Sequence, residues 1–195
     1  LSEASESELS DYLSGLTPDQ LRGVASNVKG IYHEMLWVDE YNATHTDRFA
    51  TMHESTTHQG SDIQIRSSET HEILQEIQLK ATDSSSYVQQ HFARYPDTQV
   101  FATSEVSNNV DGAESSGFSN AELTSSVGDV FDAVADNTIT DRVIESVEIT
   151  GLMSAGREAI SVLNGDATVS EAGKRSVGTI VQAAAAAGIT AYLFS

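Results

Sequence analysis

Two adjoining stretches with a period of two constrain this chain most. Asp62-Ile63-Gln64-Ile65-Arg66 alternates polar and apolar residues without a break. Glu72 to Ala81 alternates again, with Ile73, Ile77 and Leu79 on one side and Glu76, Gln78 and Lys80 on the other. Successive side chains of a strand point to opposite faces, so the pattern predicts a β-hairpin with one buried face. Ser67-Ser68-Glu69-Thr70 supplies the turn.

The flanks of the hairpin have a helical period. Thr17 can cap, Pro18 stands at the first helical position and Gln20 completes a capping box. Apolar residues then recur at Leu21, Val24, Val28, Ile31, Met35 and Val38. Residues 42–59 read equally as a short helix around Phe49 and Met52 or as an edge strand. After the hairpin, residues 84–94 predict a helix capped by Ser84, with Tyr87, Val88, His91 and Phe92 on one side. Pro96 ends it, because proline disfavours helix at the residue before it. Val100-Phe101-Ala102-Thr103 is a further strand, and residues 107–119, rich in Ser, Asn, Asp and Gly, form a loop. From Asn120 onward the pattern predicts only helices, over about 120–136, 138–147, 150–163 and 168–193. The expected organisation is an acidic lead-in over 1–16, an α/β core over 17–106, the loop, and an α-helical extension over 120–195 packed on the core.

A length of 195 residues suits one domain with an appended helical piece. The chain begins at Leu1, as a piece excised from a longer protein would, and shows no basic and apolar signal segment at its start. The absence of cysteine excludes a disulfide framework, a thiolate zinc site and a cysteine nucleophile. The six histidines are scattered, no HExxH motif occurs, and zinc is not expected. A Walker A loop, GxGxxG and GxSxG are all missing.

Charge is the strongest compositional signal: 10 Lys and Arg stand against 29 Asp and Glu, a net charge of −19. Such a surface resembles that of salt-adapted proteins and repels polyanions, and it also suits a basic partner. The last 45 residues are neutral, with three acids and three bases. Their final stretch, Val177 to Phe194, has no charge and is mainly Ala and Gly. Its length admits a membrane span, but its weak hydropathy favours a closely packed buried helix, on the core or on a second copy of the chain.

The hairpin also carries the chemistry. Gln78 and Lys80 share a strand face, and Asp62 starts the neighbouring strand. If the strands pair, an acid, an amide oxygen and a lysine converge. Magnesium takes oxygen ligands and is commonly bound by one or two carboxylates, with water and substrate phosphate completing its shell. A lysine beside it can orient the attacking water or balance phosphate charge. The bland alternative is a solvated polar face made of Glu76, Gln78 and Lys80.

These residues resemble the PD-(D/E)XK nuclease superfamily, whose pattern is an Asp on one strand, then an acid, any residue and Lys on the next. The resemblance covers about residues 20–105. Asp62, Gln78 and Lys80 match in turn, and Val28-Lys29-Gly30-Ile31-Tyr32-His33-Glu34 looks like the helix that often brings a further metal-binding acid, here Glu34. Gln78 departs from the usual acid, as it does in several toxin-like and mobile-element members. Being uncharged, it weakens metal affinity unless Glu34 or Glu76 compensates.

The resemblance implies a restriction-endonuclease-like core, a central mixed sheet flanked by helices. It implies Mg²⁺ or Mn²⁺ held by Asp62, Glu34 and Gln78, with Lys80 catalytic, and phosphodiester hydrolysis of nucleic acid, DNA foremost. It further implies either the toxin or effector end of a larger secreted bacterial protein acting in the cytoplasm, with a cognate immunity or inhibitor protein as partner, or a mobile-element nuclease. The competing expectation is a non-catalytic binding or membrane-acting module that uses the Ala/Gly-rich C-terminal helix.

Overall fold

A computed structural model describes residues 14–53 and 59–135. The acidic lead-in up to residue 13 and the helices expected beyond residue 135, with the uncharged stretch 177–194, lie outside the described residues.

The first helix, α1 (Pro18–Thr44), starts where the capping box predicts. The Gln20 backbone N–H donates to Thr17 Oγ1 at 3.4 Å, and the Thr17 N–H donates to Gln20 Oε1 at 2.9 Å. The reciprocal pair satisfies two N–H groups at the helix start. α1 crosses from one compact unit into another. Residues 33–123 form one unit; the described residues up to Tyr32 and from Thr124 belong to the other. In the latter, Val24, Val28, Tyr32 and Val127 are buried, and Lys29 Nζ donates to Thr124 Oγ1 at 3.3 Å.

The unit 33–123 is mixed α/β, built on a five-stranded sheet in the order β1-β2-β3-β4-β5. β1 (Arg48–Met52), β2 (Ile63–Ser67) and β3 (Ile73–Lys80) are antiparallel neighbours. Helix α2 (Ser85–Arg94) then carries the chain over to β4 (Gln99–Ala102), which lies parallel to β3. A single turn of helix, α3 (Ser104–Ser107), leads to β5 (Ala113–Ser115), parallel to β4. Helix α4 (Asn120–Ala135) follows. Of the two readings for residues 42–59, the edge strand is found, in β1.

Helices flank the sheet. On one face, Trp37 and Val38 of α1 pack with Ala50, Ile63, Ile65, Ile77 and Leu79. On the other, Val88 and Phe92 of α2 pack with Val100, Ala102, Val106 and Val110.

Three expectations need correction. The hairpin does not bury one face along its whole length. Ile73, on the apolar side of the alternation, is 48% exposed, whereas Gln78, on its polar side, is 6% exposed. Where β4 and α2 adjoin β3, the strand end is covered on both sides. Residues 107–119 are not all loop, since Ala113–Ser115 adds a strand. The short segment has no alternation to reveal it and is recruited by the edge of β4. Tyr87 does not join the buried side of α2 with Val88; it is 53% exposed.

Candidate active site

The residues singled out in the hairpin come together at the covered end of β3. Ile63 pairs with Ile77, and the Asp62 N–H donates to Ile77 O at 2.8 Å. This register puts the Asp62 carboxylate beside Gln78. Asp62 Oδ2 accepts hydrogen bonds from Gln78 Nε2 and, at 3.0 Å, from the backbone N–H of Leu79. Gln78 Nε2 also donates to Leu79 O at 3.0 Å. With its amide nitrogen so used, Gln78 keeps Oε1 without a hydrogen-bond partner among the described residues.

Lys80 ends the same strand. Its backbone carbonyl accepts from the N–H of Thr103 at 3.2 Å, and Thr103 Oγ1 donates to Thr82 O at 2.6 Å. These bonds fix the strand end, while the Lys80 ammonium stands 5.0 Å from the centre of the Tyr87 ring, a cation–π contact.

Glu34 reaches the site from α1. Burial pushes its carboxyl well above the usual range, the Asp62 charge pushes it further, and Lys80 draws it back. Two carboxylates thus feel each other's charge, beside a single lysine. The preceding residue, His33, is fully buried; its Nε2 lies 2.8 Å from Ser116 Oγ and its ring meets Phe118 edge-on. It is a core histidine that holds this turn of α1 to the segment after β5.

The donor set fits a hard divalent cation. Asp62, Glu34 and Gln78 offer oxygen only, as Mg²⁺ or Mn²⁺ requires. A bound cation would also neutralise the repulsion between the two carboxylates. Among the described residues no three His, Cys, Asp or Glu side chains gather to hold a metal ion. The set at β3 has two acids, and its third oxygen is an amide. Glu76, the alternative acid, accepts from Gln64 Nε2 at 3.0 Å and lies 3.7 Å from His53 Nε2. The same His53 nitrogen lies 2.8 Å from Ser61 Oγ. His53 and Ser61 are both buried.

Residues that the hairpin motif does not contain complete the surroundings. Gln78 and Lys80 line a pocket of about 230 Å³ with Tyr87, Gln90, His91 and Arg94 of α2. The spacing 87, 90, 91, 94 is one stripe of a helix, and that polar stripe is the sequence signal for them. His91 is held well below its ordinary value, to about 4, by burial first and by the charges of Lys80 and Arg94, against an opposing backbone hydrogen bond to Gly60. It is therefore neutral at physiological pH.

Compared with protein-family models, curated proteins and solved structures, the chain matches none.

Proposed function

We propose that the unit over residues 33–123 is a divalent-metal-dependent nuclease built on a restriction-endonuclease-like core, acting on phosphodiesters of nucleic acid, DNA first. The observation that carries this reading is the contact of Asp62 with Gln78 at a strand end that also bears Lys80, within electrostatic reach of Glu34. A mixed sheet flanked by helices agrees with it. Asp62, Glu34 and the amide oxygen of Gln78 would hold Mg²⁺ or Mn²⁺, which supplies charge neutralisation at the phosphate and a more acidic water.

The chain's own residues do the rest. Asp62 is fixed by the Leu79 N–H and the Gln78 amide, so its carboxylate needs little reorganisation. Lys80 lies two residues along the strand from Gln78. Its ammonium orients the attacking water and balances the charge that grows on the phosphate oxygens. Its contact with Tyr87 limits its freedom. Burial of Gln78 beside them keeps bulk water from screening these charges.

Among the described residues no helix is long and apolar enough to cross a membrane. Action in the cytoplasm, delivery as part of a larger secreted protein, a cognate inhibitor and pairing of copies through the C-terminal helices are proposals that travel with the nuclease reading. The test is nicking of supercoiled plasmid with Mg²⁺ or Mn²⁺, compared with EDTA and with Lys80→Ala. Metal-dependent nicking that Lys80→Ala abolishes is expected. Leakage of liposomes without nicking would favour the binding or membrane-acting alternative.

A further inference from the structure

The pocket beside Lys80 gathers the uncommitted positive charge of its unit. Residues 33–123 contain four Lys and Arg side chains: Arg48, Arg66, Lys80 and Arg94. Arg48 pairs with Asp47 at 2.8 Å, and Arg66 donates to His71 O at 3.0 Å and to Gln64. Lys80 and Arg94 form no ion pair among the described residues, and both line the pocket, whose lining has no Asp or Glu. In a chain with 29 acids against 10 bases, such a lining selects for an anion.

The other lining groups narrow the choice. Gln90 offers an amide whose N–H groups hydrogen-bond oxygen, while the N–H groups of Gln78 are taken by Asp62 and Leu79 O. His91 is 9% exposed, and its Nε2 has no hydrogen-bond partner among the described residues. The backbone bond to Gly60 raises the His91 pKa, as donation to a carbonyl does, so in the neutral ring Nε2 is an acceptor, matched to water or to an N–H or O–H group of an occupant and not to a phosphate oxygen. Tyr87 presents an exposed ring beside the Lys80 ammonium, and an aromatic face next to a cation is how single nucleic-acid strands are commonly gripped. At about 230 Å³ the pocket is smaller than the roughly 300–1,000 Å³ that encloses a whole drug-sized ligand. It suits one group of a longer molecule.

We propose that this pocket is a subsite for a phosphate of a nucleic-acid strand, anchored by Arg94 of α2, which sets the neighbouring phosphate at Asp62 and Lys80. The strand's placement rests on the nuclease reading; the binding of a phosphate by Arg94 does not. Arginine suits the role because its planar fork makes two parallel bonds to one phosphate.

The test is fluorescence anisotropy of a short labelled oligodeoxynucleotide with the full chain in EDTA at constant salt. Wild type is compared with Arg94→Gln, Arg94→Lys and, as a cation outside the pocket, Arg66→Gln. Arg94→Gln is expected to weaken binding about tenfold or more, the scale of a lost charge-assisted pair. Arg94→Lys should fall between, and Arg66→Gln should bind as wild type. Inorganic phosphate, titrated separately and followed by NMR at the Arg94 side chain, should bind weakly and compete with the strand.

Equal binding by Arg94→Gln and wild type overturns the proposal, as does a wild type that does not bind the strand. Inorganic phosphate bound at Arg94 with no strand binding also overturns it, in favour of a site for free phosphate. A failed nuclease reading would look different: strand binding that depends on Arg94, with no cleavage in any divalent metal. Should cleavage occur, Arg94→Gln should raise KM with little change in kcat, while an unchanged KM counts against the subsite.

Discussion

The two ends of β3 belong to one alternating strand and have opposite fates. At its start, Ile73 and Leu74 are 48% and 54% exposed. At its end, Ile77, Gln78 and Leu79 are all buried, the glutamine included. Hydrophobicity alone would have buried Ile73 and Leu74 and left Gln78 exposed. The start pairs only with β2, while from Ile77 onward the strand pairs with β4, with α1 packed on the face of Ile77 and Leu79 and α2 lining the pocket beside Gln78. Burying a polar amide is costly unless it is hydrogen-bonded, and here Asp62 and Leu79 O supply the partners. The polar groups that this strand buries are therefore the informative ones, and they are the residues proposed to carry the chemistry.

The largest effects are expected from the polar end. Asp62→Ala removes the acceptor of two hydrogen bonds and a proposed metal ligand. It should lower cleavage by about 10²–10³-fold or more, the scale of losing one preorganised electrostatic group. It should also destabilise the fold by about 1–3 kcal/mol, because the Leu79 N–H and the Gln78 amide lose their partner. Lys80→Ala should cut cleavage as severely with little loss of stability. Paired plasmid-nicking and thermal-denaturation measurements separate the two outcomes.

The comparison can be broken next with two like substitutions on the same strand. Ile77→Ala creates a cavity at a fully buried site and should cost about 2–5 kcal/mol. Ile73→Ala should stay within about 0.5 kcal/mol, as surface changes usually do. Urea denaturation of both variants reads the difference, and equal costs would mean that the two ends are packed alike.

A subtler contrast is Gln78→Glu. It places a third carboxylate beside Asp62 and Glu34, so without metal the variant should melt below wild type. Added Mg²⁺ or Mn²⁺ should raise its melting temperature by more than it raises that of wild type. Equal metal shifts would remove Gln78 from the metal's surroundings.

A modest effect lies away from the strand. Glu105 of α3 caps α4 across the chain: its carboxylate accepts from Ser119 Oγ at 2.7 Å, Asn120 N at 2.8 Å and Ala121 N at 3.0 Å. Burial alone would raise its pKa, but these bonds outweigh it and bring the carboxyl from its ordinary 4.5 down to about 2. A carboxyl lowered on folding contributes stability that is complete above about pH 4.5 and is lost as pH falls through about 2. Glu105→Gln should cost about 1 kcal/mol at neutral pH, the size of a lost cap at a partly exposed site. The difference from wild type should shrink on acidification, as melting curves over that range would show.

Much of this was legible in the sequence where the determinants are local. The capping box of Thr17 and Gln20, the limits of β2 and β3 and the stop of α2 near Pro96 follow from neighbouring residues. The meeting of Asp62 with Gln78 was legible in part: the alternation of Ile63, Ile65, Ile77 and Leu79 sets them on neighbouring antiparallel strands, but an irregularity between Ile65 and Arg66 shifts the register along the hairpin. What could not be read depends on distant segments. Gln78 is buried because β4 and α2 cover the strand end. Ala113–Ser115 is a strand only because β4 presents an edge. Glu105 becomes a cap only when α4 starts beside it. The polar stripe of Tyr87, Gln90, His91 and Arg94 was visible, but its pocket needs β3 opposite.

The most direct test of the central claim is calorimetric titration of Mn²⁺ into wild type and Asp62→Asn, a substitution that keeps an oxygen acceptor for Leu79 and removes the charge. Saturable binding in wild type, lost or greatly weakened in Asp62→Asn while the melting temperature stays close, is the predicted result. Equal Mn²⁺ affinity in the two proteins, or no saturable binding in wild type, would contradict a metal-dependent site at the covered end of β3.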